Sequence, residues 1–161
     1  MTMKEIYELM IKNPITINEN ATVQDAIDMF STHRVGCLPV IDASERLVGF
    51  LSDGDVMEFL ARRTKLQDRV PIIYHAASYD EKSAEKDEEL IKEVGQMSIM
   101  HCATKRVQFC YEDDNTAELA TLMDNRRLKF VPVVERDTNK LVGLLSRRDI
   151  TLAFFDSINK H

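Results

Sequence analysis

The chain repeats itself, and this internal repeat limits the possible folds more than any other feature of its 161 residues. Residues 38–55 read LPVIDASERLVGFLSDGD, and residues 131–149 read VPVVERDTNKLVGLLSRRD. Both segments contain an apolar-Pro-Val motif, a polar turn, Leu-Val-Gly, two apolar residues, Ser, two variable residues and Asp. The second segment has one extra residue in its turn. Similarity at a fixed spacing indicates two copies of one structural unit.

The same order of secondary-structure elements is predicted in both copies. Apolar residues at helical spacing follow a capping residue, Thr22 or Asn115, and an acidic residue lies three positions after each cap. Each copy therefore reads as strand, helix, strand, strand and helix, which gives an α/β (α+β) fold. The predicted elements are strand 15–17, helix 22–33, strands 37–41 and 46–51 and helix 53–63, then strand 107–110, helix 115–125, strands 129–134 and 140–145 and helix 147–158.

A β-α-β-β-α unit of about 50 residues buries too little apolar surface to be stable alone, so we expect the copies to pack against each other. The charged run DEKSAEKDEELIKEV lies between them and predicts a solvated helix followed by a short packed segment. A partner-docking or ligand-gating insert is the alternative. The apolar segment 70–74 is expected to pack on one copy or across a dimer. The predicted domains are 1–63, the insert 64–102, and 103–161.

Composition favours a cytoplasmic protein. The net charge of -6 argues against general binding to nucleic acid. Three cysteines without disulfide-like or metal-like spacing indicate free thiols in a reducing compartment. The N-terminal sequence MTMKEIYELMIKNP is charged and does not read as a signal peptide. No stretch approaches the ~18 apolar residues that a membrane span requires.

The apolar-Pro-Val and Gly-x-x-Ser-x-x-Asp motifs, repeated at matched spacing, resemble the cystathionine-beta-synthase (CBS) domain, and the tandem resembles a Bateman module. The resemblance covers the chain outside residues 64–102. It implies a pseudo-twofold pair with two clefts between the copies, each able to hold AMP, ADP, ATP or S-adenosylmethionine, and a homodimer. The predicted function is regulatory sensing of an adenine nucleotide, with no required cofactor and an effector protein that the sequence does not name.

The Ser-x-x-Asp element suits a nucleotide chemically. A carboxylate at a helix start accepts hydrogen bonds from a ribose diol, while a serine hydroxyl and free helix N–H groups suit a phosphate. The same spacing is also a capping box, and both roles can coexist. Gly49 and Gly143 are expected to let another group approach the strand backbone closely.

The two sites are expected to differ. Arg147 and Arg148 can bind phosphate oxygens, whereas Asp53 repels them. The resemblance adds that each cleft combines the first strand of one copy with the Ser-x-x-Asp of the other. The favoured site is predicted to contain Ile15, Thr16, Lys129, Ser146, Arg147, Arg148 and Asp149. The weaker site is predicted to contain Ser52, Asp55, Gln108 and Phe109, with Phe109 either stacked on adenine or filling the slot.

Catalysis is not expected. The four histidines are scattered, and no phosphate-binding Gly-rich loop, nucleophile elbow or metal-ligand cluster is present in the sequence. Arg126 and Arg127 are interpreted either as a solvated helix end or as part of the basic residues that reach a phosphate. The alternative function is a ligand-free module for dimerisation or protein interaction.

Overall fold

Both predicted copies of the repeat are present in the computed structural model, which describes residues 4–64 and 81–159. The first copy contains β2 (Ile17–Asn18), α2 (Val23–His33), β3 (Cys37–Ile41), β4 (Leu47–Ser52) and α3 (Asp53–Thr64). The second contains β5 (Cys110–Tyr111), α5 (Thr116–Asn125), β6 (Phe130–Val134), β7 (Leu141–Ser146) and α6 (Arg147–Asn159). The predicted α/β fold class and the order of elements in each copy are confirmed.

Local capping explains where the first helix of each copy begins. The Thr22 hydroxyl accepts a hydrogen bond from Asp25 N, and the Asp25 carboxylate accepts one from Thr22 N, which closes a capping box on α2. The Asn115 side chain accepts hydrogen bonds from two backbone N–H groups of α5. The initial strands are shorter than predicted and begin later, at Ile17 and Cys110.

Three elements complete the described chain. Helix α1 (Ile6–Leu9) and strand β1 (Ile11–Lys12) precede the first copy, and neither was predicted. The charged run forms α4 (Glu81–Gly95), as expected, and a short 3-10 helix (Ile99–His101) with a buried Ile99 follows it. The apolar segment 70–74 lies outside the described residues.

The strands form two sheets, in the orders β1-β7-β6-β5 and β2-β3-β4. Strands β6 and β7 form an antiparallel hairpin, and β5 lies parallel to β6. Strand β1 pairs antiparallel with β7, with Ile11 opposite Leu144 and Lys12 opposite Gly143. The N-terminal segment therefore supplies the edge strand of the second copy's sheet.

The chain divides into two compact units, and neither is a continuous stretch of sequence. Unit 1 comprises Met1–Thr16, Ile41–Val48 and Arg106–His161, and unit 2 comprises Ile17–Val40 and Gly49–Lys105. The core of unit 1 consists of Ile6, Met10, Cys110, Leu119, Met123, Val131, Val133, Leu145 and Ile150. Unit 2 buries Ile17, Val23, Ala26, Leu38, Val40, Leu51, Val56, Val94 and Ile99.

The repeat extends further upstream than the motifs indicated. In unit 1, Ile11 pairs with Leu144 of β7; in unit 2, Thr104 forms an isolated bridge with Phe50 of β4. Phe50 and Thr104 exchange two backbone hydrogen bonds of 2.9 and 2.8 Å. Within each unit, the last strand of one copy is thus paired with the segment that precedes the other copy in sequence.

Candidate functional site

The Ser146–Asp149 turn joins β7 to α6 and is closed by three hydrogen bonds. Asp149 Oδ2 accepts from Ser146 N at 3.0 Å and from Ser146 Oγ at 2.6 Å, and Ser146 Oγ accepts from Asp149 N at 3.1 Å. The Ser-x-x-Asp element is therefore a capping box, which is one of the two roles predicted for it. Within the part of the chain that the structure describes, Asp149 Oδ1 accepts no hydrogen bond, so this oxygen is available to a ligand hydroxyl.

The Ser52–Asp55 turn of the first copy has the same geometry. Asp55 Oδ2 accepts from Ser52 N at 2.8 Å and from Ser52 Oγ at 2.7 Å, and Ser52 Oγ accepts from Asp55 N at 3.1 Å. All four side chains are half-buried. Because the two turns are alike in backbone and in capping, any difference between them comes from the residues around them.

The flanking residues give the two turns opposite charge. Arg147 N donates to Lys129 O at 2.8 Å, and at the equivalent place Asp53 N donates to Gly36 O at 3.1 Å. A Cβ added to Gly36 would lie 3.9 Å from Asp53 Oδ2, so the carboxylate lies close to this position. The second turn thus has Lys129 and Arg147 side by side, where the first has a glycine and an acid.

Lys129, Arg147 and Arg148 are exposed, and none of them forms an ion pair with any residue in 4–64 or 81–159. Asp53 is exposed too, and it accepts a hydrogen bond from Gly54 N at 2.8 Å. Three unpaired cations beside one turn attract a phosphate, whereas the carboxylate beside the other repels it.

Arg126 and Arg127 lie at the exposed C-terminal end of α5, as expected for a solvated helix end. Arg127 adopts a left-handed conformation with φ 52°, and Leu128 N donates to Met123 O at 2.8 Å, which closes the helix end. This helix end lies near the Ser146–Asp149 turn. One groove of about 340 Å³ is lined by residues from the end of α5 and from the start of α6. The groove is lined by Ala120, Met123, Asp124, Arg147, Ile150, Thr151 and Phe154.

All four first-strand residues predicted for the two sites belong to unit 1. Ile15 and Thr16 belong to unit 1 with the Ser146–Asp149 turn, but among the described residues no hydrogen bond joins them to it. Gln108 and Phe109 belong to unit 1, whereas Ser52 and Asp55 belong to unit 2. The Phe109 ring is 37% exposed and contacts the Tyr111 ring edge-on, with centroids 5.6 Å apart.

Sequence reasoning missed the role of Met10. The expectation that Gly143 admits a close neighbour is correct, but the neighbour is a side chain of unit 1. A Cβ on Gly143 would lie 2.9 Å from Met10 Cγ and closer still to Met10 Sδ. Gly143 does not have a positive φ, so the space occupied by Met10, and not backbone conformation, explains the glycine. The signal in the sequence was the N-terminal apolar spacing of Ile6 and Met10.

The cysteines are free thiols. Burial raises the pKa of the Cys37 and Cys110 thiols to about 12, and the nearby Asp53 and Asp114 carboxylates add to these shifts. Burial also raises the pKa of the half-buried Cys102. Among residues 4–64 and 81–159, no group of three or more His, Cys, Asp or Glu side chains is arranged to hold a metal ion.

The sequence model of the CBS domain matches residues 4–62 and 94–156. The chain belongs to the CBS domain family. It carries two copies of the CBS domain, and the second match begins within α4, so that it includes the segment that pairs with β4. In the described part of this CBS pair, no helix is long and apolar enough to cross a membrane.

Relatives of known name are mostly longer proteins. The chain is 28% identical over 148 residues to inosine-5'-monophosphate dehydrogenase of Methanocaldococcus jannaschii, and the match covers 92% of this chain and 23% of that enzyme. The chain is 25% identical over 154 residues to an uncharacterized protein of the same organism, and this match covers 93% of this chain and 89% of that protein. The chain thus spans about a quarter of the enzyme and most of the second relative.

Solved structures of CBS pairs share the fold. The CBS-pair protein CBSX2 from Arabidopsis thaliana is similar with a TM-score of 0.71 and 22% identity, covering 99% of both chains. CBSX2 in complex with AMP gives a TM-score of 0.69 at 21% identity, covering 96% of this chain and 98% of that one. A CBS domain pair in complex with 5'-methylthioadenosine and S-adenosyl-L-methionine gives a TM-score of 0.69 at 21% identity, and the match covers 97% of this chain and 99% of that one.

Proposed function

We propose that this CBS pair is a regulatory module that binds an adenosine compound, with its main site at the Ser146–Asp149 turn. The asymmetry of two otherwise matched turns carries this proposal. Both turns leave one carboxylate oxygen free for a ribose, but the second also has three cations that no described residue pairs, whereas the first has Asp53 and two glycines. The bound AMP, 5'-methylthioadenosine and S-adenosyl-L-methionine of the structural neighbours support an adenosine ligand.

The proposed main site keeps the predicted residues Ile15, Thr16, Lys129, Ser146, Arg147, Arg148 and Asp149. Ser52, Asp55, Gln108 and Phe109 form the proposed weaker site. Asp53 beside this turn makes it a poor match for a phosphate, since like charges repel.

The module is proposed to regulate an effector protein and to catalyse nothing, so it requires no cofactor. We retain residues 1–63 and 103–161 as its two domains and residues 64–102 as the connecting insert. The three free thiols support a reducing, cytoplasmic setting. The acidic net charge supports a function without nucleic acid or membrane partners.

Two matched variants test the site. Asp149→Ala and Asp55→Ala remove equivalent capping carboxylates, so both are expected to lose a similar stability, about 1 kcal/mol. Calorimetry with AMP, ADP, ATP and S-adenosylmethionine should show that only Asp149→Ala loses affinity, because only this turn is proposed to bind tightly. Full affinity in Asp149→Ala contradicts the site. No binding of any of the four compounds by the wild type would instead favour the ligand-free interaction module.

The homodimer is a further part of the proposal, supported by an apolar stripe on α6. Leu152, Phe155 and Ile158 are 50%, 60% and 61% exposed and recur at helical spacing on one face. Burying such a stripe against a second copy removes apolar surface from water. Sedimentation equilibrium should find a dimer for the wild type and a monomer for Phe155→Glu. A monomeric wild type contradicts the dimer and leaves the ligand proposal intact.

A further inference from the structure

We propose that unit 1 contains a ligand site, separate from the Ser146–Asp149 turn, that binds the zwitterion of an aliphatic α-amino acid. The site is a cavity of about 550 Å³, within the range of ~300–1,000 Å³ that is usual for small-molecule sites. All of its lining residues belong to unit 1. Strand β7 begins at this cavity with Leu141 and ends at Ser146, so about 17 Å of strand separates the cavity from the proposed nucleotide site.

Two charged side chains that line the cavity have no partner of opposite charge. The Lys12 ammonium lies over the Tyr7 ring, 3.6 Å from its centroid, and forms no ion pair with a residue in 4–64 or 81–159. The half-buried Glu112 carboxylate forms neither an ion pair nor a hydrogen bond with any residue that the structure describes. The cavity therefore presents an unpaired cation and an unpaired anion to one ligand.

A second carboxylate lies beside Glu112. Strands β5 and β6 are parallel neighbours with Tyr111 opposite Val134, so Glu112 and Glu135, which follow these strands, lie side by side about 4.8 Å apart along the backbone. Glu135 accepts a hydrogen bond from the Thr138 hydroxyl, but within the described chain it forms no ion pair. Adjacent like charges are unfavourable, and an ammonium between the two carboxylates relieves their repulsion.

The hairpin of the first copy closes the same position without a ligand. Asp42 and Arg46 flank that turn as Glu135 and Lys140 flank the second one, and Arg46 Nη2 lies 2.7 Å from Asp42 Oδ2. In the second copy Lys140 lies 3.6 Å from Glu45 instead, so no ion pair joins it to Glu135. The ion pair that closes the first hairpin is therefore missing at the cavity, and the Glu135 carboxylate is left for a ligand.

An α-amino acid matches these groups better than a metal ion or a phosphate does. Among the described residues no group of three or more His, Cys, Asp or Glu side chains can hold a metal ion, and the glutamates of the cavity repel a phosphate. The ammonium of the amino acid would donate to Glu112 and Glu135, and its carboxylate would accept from Lys12 and from the neighbouring Asn13 amide. An aliphatic side chain would pack on three apolar lining residues, which are Met10, Leu141 and Val142.

Calorimetry on the full chain tests the inference with L-leucine, L-methionine and L-valine as probes. Two analogues of the tightest probe each lack one charge: the N-acetyl derivative lacks the ammonium, and the methyl ester lacks the carboxylate. Both should bind at least about tenfold more weakly, since each loses its charge-assisted contacts. Glu112→Gln should weaken binding of the free amino acid by a similar factor but leave the N-acetyl derivative unchanged, and Lys12→Met should do the same with respect to the methyl ester.

Glu19→Gln is the matched control, because Glu19 follows β2 as Glu112 follows β5 but does not line the cavity. This control should keep the affinity of the wild type. No binding of any of the three amino acids, binding of both analogues as tight as that of the parent, or an equal loss in Glu19→Gln and Glu112→Gln overturns the inference. AMP affinity should be unchanged in Glu112→Gln, so the amino-acid site and the proposed nucleotide site stand or fall separately.

Discussion

Replacing Gly143 with alanine tests whether the N-terminal segment is an integral part of the second CBS domain. The new Cβ would lie 2.9 Å from Met10 Cγ and 3.2 Å from Met10 Cβ, so the Met10 side chain and its backbone must both move. Met10 is only 8% exposed and belongs to the unit 1 core, which leaves little room for such a shift. Overpacking of this kind costs about 1–3 kcal/mol.

The loss of chain entropy in the unfolded state offsets about 0.4–1 kcal/mol of that cost, since alanine is less flexible than glycine. We therefore expect Gly143→Ala to lower the free energy of unfolding by about 1–2 kcal/mol, or the melting temperature by several degrees. Urea denaturation followed by circular dichroism measures this change. Gly49→Ala is the comparison. The atom nearest to a Cβ added at Gly49 is Val40 Cβ, at 3.2 Å, so the loss in the free energy of unfolding should be smaller.

A double-mutant cycle separates the contact from other effects of the substitution. In a Met10→Ala background the side chain that meets the new Cβ is shortened, so adding Gly143→Ala should cost little or nothing further. Additive losses would refute the assignment of Gly143 to Met10. A large loss of nucleotide affinity in Gly143→Ala at unchanged stability would also refute it, since it would indicate that the glycine makes room for a ligand.

Two further outcomes follow from shifted pKa values. Cys37 and Cys110 are buried thiols with pKa values near 12, so a maleimide at pH 8 should label half-buried Cys102 first. Mass spectrometry that finds Cys37 labelled as fast as Cys102 would contradict this burial. Hydrogen bonds from the backbone and the hydroxyl of Thr22 lower the pKa of Asp25. The capping box therefore stabilises the fold fully at pH values above the unfolded-state pKa of about 4. This stability is lost as the pH falls through the lower pKa of the folded state. Thr22→Ala should raise the pKa of Asp25 towards its ordinary value in an NMR titration, and an unchanged pKa would show that the hydroxyl contributes nothing.

The repeat motif was enough to predict most of the fold. Strand β3 has the predicted bounds, and the helices of both copies begin within one residue of the predicted positions. These elements were predictable because their signals are local, namely capping residues, apolar periodicity and polar turns. The edge strand β1 has only two residues, and its pairing with β7 depends on a distant part of the chain. Local patterns do not reveal such a pairing.

In the candidate site, too, features with a local sequence signal were predictable and features that depend on distant contacts were not. The capping box at Ser146–Asp149 and the exposed cations around it follow from residue type and spacing. The hydrogen bond that sets Lys129 beside Arg147 was not predictable from spacing alone, because it joins the residue before β6 to the start of α6 across a hairpin whose exact register the sequence does not specify. The role of the Met10 side chain was missed because it contacts Gly143, which is far away in sequence.

The pairing of Ile11 with Leu144 has a consequence for synthesis on the ribosome. Ile11 and Leu144 are about 130 residues apart, so the sheet of unit 1 gains its edge strand only after β7 has emerged. Until then, Ile6 and Met10 lack Leu145 and Ile150 of their core, and closing so long a loop is slow relative to local helix formation. Nascent chains of this protein are therefore expected to acquire their N-terminal contacts late and to depend most on chaperones before β7 has emerged.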